Sequence, residues 1–256
     1  MQSTWAGIDS LVKSLDPSKP LPSYKITKFG GAFGPMMSEF VFAQIIALER
    51  GFAGMMNSQK QKSWDHATFG VYRPLAGLTL GILGVGDIGK HIAKIAKLFG
   101  MQVWGLIRTK PDAHPDYLDE YRLTDGLPEL LSQCDYVCNV LPDTSSTTGV
   151  LSAGMLKHCK SKSPVFINVG RGNILSEADI VEALDMKWIR HAILDVFPSE
   201  PLSEESPLWG HPHVTITPHV SAMSMMESVS DLFVENYKRF TSGQPLHYVS
   251  SFEAGY

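Results

Sequence analysis

The chain has little of what several protein classes require. Only three cysteines occur in 256 residues, Cys134, Cys138 and Cys159, too few and too unpaired for a secreted disulfide framework. No run of like charge stands out: 22 Lys and Arg face 26 Asp and Glu, a formal net charge of −4. Without clustered cations the footprint of a nucleic-acid binder is missing. The longest apolar stretches, 41–48 and 78–85, fall far short of the about 18 residues that span a bilayer. The opening Met1-Gln-Ser-Thr-Trp-Ala-Gly has no Lys or Arg and no apolar segment behind it, so no signal peptide is read. Repeats and low-complexity segments are missing too. What remains is a globular composition, 44% apolar and 19% charged, enough for one large domain or two small ones. A reducing compartment, the cytoplasm by default, is expected.

From about Gly77 onward, short apolar runs alternate with helical periods. Residues 78–83, 102–107, 136–140, 165–169, 191–196 and 214–217 read as strands, and 127–131, 154–158 and 180–184 as helical. Ile88, Ile92, Ile95, Ala96 and Phe99 recur at helical spacing between the first two strands. This alternation predicts a doubly wound α/β domain with a parallel sheet. Cys134 and Cys138 fall around the 136–140 run and read as small buried hydrophobes. The first seventy residues differ, with helical segments at 8–15 and 39–51 and one strand at 25–29, separated by a Pro- and Gly-rich stretch. Ser38 is the expected cap of the second helix, and Gly51 its carboxyl-terminal stop. An amphipathic helix over 223–240 is long enough to cross between lobes. The expected organisation is 1–73, a partial substrate-binding domain; 74–221, a dinucleotide-binding domain; and 222–256, the crossing helix and a returning segment.

Gly84-Val-Gly86-Asp87-Ile88-Gly89 follows a strand and opens a helix, the context of a dinucleotide fingerprint. The first glycine permits a tight turn, the second lets a pyrophosphate approach, and the third lets helix pack on strand. The helix terminus offers free N–H groups to the phosphates. A ribose-binding acid belongs about 20 residues on. Here Arg108, Thr109 and Lys110 stand instead, a set suited to a 2′-phosphate and hence to NADP(H), with NAD(H) possible.

A second set is spread over the last third: Asn168-Val-Gly-Arg171-Gly, Asp195-Val-Phe-Pro-Ser-Glu200-Pro, and Thr217-Pro-His219. In open α/β sheets, ligands bind at the carboxyl ends of strands. A guanidinium, a carboxylate and an imidazole gathered there suit reduction of a 2-oxo acid. Arg171 would hold the substrate carboxylate, His219 would be the general acid, and Glu200 would stabilise its imidazolium. Spacing alone does not bring the three together; an ordinary surface Arg–Glu pair and an unrelated His fit the bare residues as well.

Read in order, Ala6-Gly-Ile-Asp9, Ser38-Glu-Phe-Val, residues 79–89, Leu141-Pro142, Asn168-Val-Gly-Arg-Gly172, Leu194-Asp-Val-Phe197, Glu200-Pro-Leu202, Pro207-Leu-Trp209 and residues 214–219, down to the closing Gly255-Tyr256, resemble the D-isomer-specific 2-hydroxyacid dehydrogenases. The resemblance implies a flavodoxin-like second domain and makes Arg171, Glu200 and His219 the catalytic trio. It gives Asp195 a contact to the nicotinamide carboxamide and adds Leu141 and Pro142 to the cofactor set. The backbone of Ala6, Gly7 and Ile8 would receive the substrate carboxylate, with Trp5 beside it lining the pocket or packing in the core. Family members with basic residues at the 108–110 position tend to use NADPH, which points to glyoxylate and hydroxypyruvate reductases as the nearest relatives. The resemblance further implies a homodimer formed through the nucleotide-binding domain, and several dozen more residues ahead of the segment at 3–9 than this chain carries.

A reading from another class remains open, a nucleotide-sensing interaction protein like the corepressors that share this fold. His211-Pro-His213 reads as loop punctuation, so no metal is expected. Met36, Met37, Met223, Met225 and Met226 read as adaptable core, and residues 59–62 as a solvated helix face.

Overall fold

The structure is a computed structural model and describes residues 1–253 and 255; Tyr256, of the closing pair, lies outside them. In chain order the elements are α1 (Asp9–Lys13), β1 (Ile26–Thr27), α2 (Phe33–Glu49), α3 (Phe52–Lys60), α4 (His66–Phe69), β2 (Thr79–Leu83), α5 (Asp87–Leu98), β3 (Gln102–Leu106) and β4 (Glu120–Arg122), then α6 (Leu127–Gln133), β5 (Tyr136–Asn139), β6 (Val165–Asn168), α7 (Glu177–Asp185), β7 (His191–Leu194), β8 (Val214–Ile216), α8 (Met226–Thr241) and β9 (Val249–Ser250).

Seven strands form one parallel sheet in the order β4-β3-β2-β5-β6-β7-β8. All six expected strands are present. The inner strands are short apolar runs buried on both faces, as parallel strands under helices must be; every residue of β5 and β6 is buried, whereas the edge strand β8 is only partly buried. The chain moves outward from β2 to β4, then returns to β5 on the other side of β2. That reversal opens a crevice at the carboxyl ends of β2 and β5.

Helices cover both faces. On one, Val41 and Ile45 of α2 and Ile92 and Ala96 of α5 pack on the sheet with no exposed surface. Burying a side chain such as Ile92 stabilises the fold by about 1.5–3 kcal/mol. On the other face, Leu130 and Leu131 of α6 and Ile180 and Leu184 of α7 form a second core. Of the amphipathic period expected at Ile88, Ile92, Ile95, Ala96 and Phe99, Ile92 and Ala96 are buried and Ile88 and Ile95 partly so, while Phe99 is exposed.

Two expectations are corrected here. Helix α2 begins at Phe33, so Ser38 is an interior residue and not its cap. Its hydroxyl donates to Gly34 O (2.8 Å) and meets His91 Nδ1 (2.8 Å). Pro35 falls in the first turn, where proline leaves no helical bond unmade. Helix α2, within the expected 1–73 unit, packs against α5 and the sheet. The methionines divide: Met37 is buried, but Met223, Met225 and Met226 are exposed, because α8 starts only at Met226.

Gly51 (φ +65°) ends α2 as expected, and α3 starts directly after it. The smaller lobe is slight. Ile26 and Thr27 pair antiparallel with Ser250 and Val249, and Gln2 bridges to Thr27. Ile8, Ile26 and Phe252 make its small core.

Candidate active site

The glycine cradle lies at the crevice. Gly84 has φ +96° and packs against Leu141, which follows β5. A Cβ on Gly89 would stand 2.1 Å from Gly84 O, whereas one on Gly86 would meet nothing within 4 Å. The three glycines therefore divide as the fingerprint requires: a turn, an open approach, and a close helix–strand contact. The α5 amino terminus faces the same space, and the fit to a dinucleotide pyrophosphate is good.

A cleft of about 690 Å³ extends from this cradle. Gly84, Gly86, Asp87, Ile88 and Gly89 line it, as do Arg108, Thr109, Leu141 and Pro142. Lys28, Tyr248 and Gly30 face them from the smaller lobe, a side of the cleft that sequence reading missed. Asp87 Oδ2 accepts from Gly31 N (2.7 Å), tying the fingerprint to that lobe. Burial pushes the Lys28 ammonium below the ordinary lysine range, and nearby Asp87 only partly offsets this.

A second cavity, about 580 Å³, adjoins the first. Arg171, Glu200 and His219 all line it, with Trp5, Ala6 and Gly7. Arg171 follows β6 and lies in the loop that the buried Asn168 organises, Asn168 Nδ2 donating to Arg171 O (3.1 Å). His219 Nδ1 bonds Glu200 Oε2 at 2.7 Å, and Glu200 Oε1 accepts from Phe197 N at 2.9 Å. A carboxylate can only accept, so Nδ1 carries the proton and Nε2 is left to face the cavity's chemistry. Ala6, Gly7, Ile88, Val169 and Arg171 line both spaces. The two cavities thus meet beside Arg171.

His219 has φ +54°, an uncommon conformation for a non-glycine residue. Two backbone bonds hold it, from His219 N to Asp195 O (2.9 Å) and to Thr217 O (3.1 Å). Asp195, which the resemblance gives a contact to the nicotinamide carboxamide, follows β7. Its side chain is fully buried and lines neither cavity. Its carboxylate accepts from Thr217 Oγ1 (2.6 Å), Val220 N (2.9 Å) and Ser221 N (2.9 Å). Buried carboxylates need such partners, and these bonds fix the segment that carries His219. Trp5 is 69% exposed, so it edges the cavity and does not pack in the core.

Sequence reading also missed two ion pairs between α1 and the sheet's loops. Asp9 Oδ1 accepts from Arg171 Nη2 (2.9 Å), and Lys13 Nζ pairs with Asp143 Oδ2 (2.5 Å). Burial alone would raise the Asp143 carboxyl, but hydrogen bonds from Lys13 and Asn173 outweigh it and hold it below the usual range. Asp9 and Asp143 lie 162 and 130 positions from their partners, so no local spacing announced them.

Comparisons with known proteins agree with this geometry. Residues 42–221 match the family model for the D-isomer specific 2-hydroxyacid dehydrogenase, NAD binding domain. Glyoxylate/hydroxypyruvate reductase A of Photorhabdus laumondii is 30% identical over 98% of this chain and 79% of its own length. The NADPH-dependent glyoxylate/hydroxypyruvate reductase of Sinorhizobium meliloti, solved with NADP and sulfate, is 33% identical with a TM-score of 0.88, covering all of this chain and 79% of that one. A D-isomer specific 2-hydroxyacid dehydrogenase of Xanthobacter autotrophicus Py2, solved with NADPH and MES, is 30% identical with a TM-score of 0.86, over 98% of this chain and all of that one. A fingerprint cradle opening onto an Arg, Glu and His at the strands' carboxyl ends, carried on this sheet order, belongs with these oxidoreductases: the chain is a member of the D-isomer specific 2-hydroxyacid dehydrogenase family.

Proposed function

We propose that the protein is an NADP(H)-dependent reductase of small 2-oxo acids, with glyoxylate and hydroxypyruvate as its first candidate substrates. The observation that carries this is the 2.7 Å contact between His219 Nδ1 and Glu200 Oε2 in the cavity that Arg171 shares with the nucleotide cleft. Arg108 and Thr109 line that cleft where an acid would be needed to hold an NAD ribose. Relatives solved with NADP or NADPH support the same preference.

NADPH, when bound, supplies the hydride that reduces the keto carbon. Arg171 holds the substrate carboxylate through charge-assisted hydrogen bonds and polarises the adjacent carbonyl. His219, as imidazolium, gives its Nε2 proton to the carbonyl oxygen, which completes the hydroxyl group. Glu200 is pinned at both oxygens, by Phe197 N–H and by His219, and so keeps the imidazole aimed. The backbone of Ala6 and Gly7 closes the carboxylate end of the cavity.

The residues at 1–31 with the returning 242–253 serve as the substrate-side lobe in this reading, and the remainder as the nucleotide-binding body. A homodimer formed through that body is part of the proposal. Phe52, Met56, Trp64, Val71 and Tyr72, all exposed, supply apolar surface for it. All three cysteines are buried thiols, which fits a cytoplasmic setting; among the described residues no helix is long and apolar enough to cross a membrane.

The test is NADPH oxidation by purified protein with glyoxylate or hydroxypyruvate, with NADH in parallel. Turnover with NADPH well above that with NADH is expected. NADPH binding without reduction of either acid would refute the reductase and favour the nucleotide-sensing alternative.

A further inference from the structure

The catalytic trio leaves three charged groups of the cavity unassigned, Asp9, Lys13 and Asp143. Asp9 stands on α1, in the smaller lobe, and its Oδ1 accepts from both Nε (3.3 Å) and Nη2 (2.9 Å) of Arg171. Arg171 Nη1 donates to Gly170 O at 2.9 Å. A guanidinium has five N–H groups, one on Nε and two on each Nη. Among the described residues these bonds leave one N–H on Nη1 and one on Nη2. The fork is also confined from below: a Cβ on Gly7 would stand 2.2 Å from Arg171 Nη2 and 2.4 Å from Asp9 Oδ1. Both side chains are substantially withdrawn from solvent, at 30% and 22% exposure.

We propose that Asp9 is a positioning residue for Arg171, taking one edge of the guanidinium so that the remaining Nη1 and Nη2 N–H groups are presented together to the substrate carboxylate. The proposal rests on the reductase reading, because it assumes that Arg171 is the carboxylate receptor. A long side chain that must bind a planar anion bidentately loses affinity when its own orientation is free. Asp9, Gly170 O and the bare Cα of Gly7 remove that freedom before substrate arrives. Asp9 touches neither the keto carbon nor the transferred proton in this scheme, so its effect belongs in substrate affinity more than in turnover.

Lys13 supplies the comparison. It lies one turn after Asp9 on α1 and also pairs across the cleft, with Asp143. If Asp9 were only a tie between lobes, cutting the Lys13 tie would have the same effect.

The experiment compares Asp9→Ala, Asp9→Asn and Lys13→Met by steady-state kinetics with glyoxylate at saturating NADPH, with NADPH affinity from nucleotide fluorescence. Asp9→Ala should raise KM about tenfold or more, the scale of losing a charge-assisted bond, while kcat and NADPH affinity change less than threefold. Asp9→Asn, whose amide oxygen still accepts, should recover most of that loss and covers the case in which the alanine variant fails to fold. Lys13→Met should raise KM by far less than Asp9→Ala. A KM that falls in Asp9→Ala would show Asp9 competing with substrate, and would overturn the proposal. An equal rise in Lys13→Met, or no rise in either Asp9 variant, would overturn it too. If the native protein reduces no 2-oxo acid, the reductase reading fails first, and calorimetry with oxamate on the NADP-loaded protein decides here. Oxamate binding that weakens about tenfold in Asp9→Ala upholds the positioning role; unchanged binding, or none to the native protein, refutes it.

Discussion

Gly89→Ala tests the nucleotide cradle with a single methyl group. The added Cβ would stand 2.1 Å from Gly84 O, 3.2 Å from Gly84 C and 3.2 Å from Ile82 Cγ2, where ordinary contact begins at 3.4 Å. Two of the three obstacles are backbone atoms, so no side chain can swing aside. Relief requires α5 to withdraw from the β2 turn by about 1.3 Å. Overpacking of this kind costs about 1–3 kcal/mol of stability, or roughly 3–10 °C in Tm for a chain of this size. The same withdrawal carries the α5 N–H groups out of hydrogen-bond range of a phosphate, since bonds near 2.9 Å lengthen past about 3.5 Å. Losing two charge-assisted bonds at about 1.5–3 kcal/mol each should raise the NADPH Kd about 10²- to 10⁴-fold. Nucleotide fluorescence titration reads the affinity, and circular dichroism confirms that the variant folds. A folded variant that binds NADPH within threefold of the native protein would refute the cradle assignment.

Other expectations follow from particular contacts. His219→Asn is the better probe of the proton donor, because asparagine tolerates the φ of +54° that would strain alanine; kcat should fall about 10²- to 10⁴-fold with NADPH affinity unchanged, and retained turnover would remove His219 from the mechanism. Arg108→Asp should lower NADPH affinity about 10- to 100-fold and shift preference toward NADH, so an unaltered NADPH/NADH ratio would overturn the 2′-phosphate assignment. His191 gives a pH signature: burial, with His213, Arg190 and His211 adding to it, pushes its imidazole down to about 4. The unfolded chain protonates this histidine near pH 6.5, so it binds the proton first. Stability is therefore full above pH 6.5 and falls as pH drops from 6.5 toward 4. His191→Gln should flatten that slope in denaturant titrations at pH 6.5 and 5, and an unchanged slope would exclude His191 as its source.

The sheet was legible because its strands are short continuous apolar runs set off by glycine and by helical periods. β4 escaped because Glu120-Tyr-Arg122 is an edge strand with two charges and no apolar run. Of α3 only the end was legible, in the helix face read at 59–62, because Gly51 reads as a stop, and a left-handed glycine can end one helix while opening the next. The start of α2 was misplaced because Pro35 looked like loop, although proline is at home in a first turn. The fingerprint was legible from glycine spacing, since the chemistry depends on where a Cβ is forbidden. Arg171, Glu200 and His219 were legible as a group only through family resemblance; their meeting is a tertiary fact that no local period encodes. Asp9 and Asp195 show the remaining limit. A carboxylate reads identically in sequence whether it aligns a guanidinium or braces a buried turn, and only its partners separate the two tasks.

The pairing of Ile26 and Thr27 with Ser250 and Val249 sets the order in which the site can be completed during synthesis. Thr27 leaves the ribosome 222 positions before its partner Val249, whereas each neighbour pair in the main sheet is closed over much shorter spans. Loop closure of that length delays the lobe until the sheet is finished. Trp5, whose carbonyl accepts from Phe29 N, and the adjoining Ala6, Gly7 and Asp9 are anchored to this late pair. The glycine-cradle side of the cleft can thus form early, while the wall carried by Trp5, Ala6, Gly7 and Asp9 waits for Val249 and Ser250 to pair.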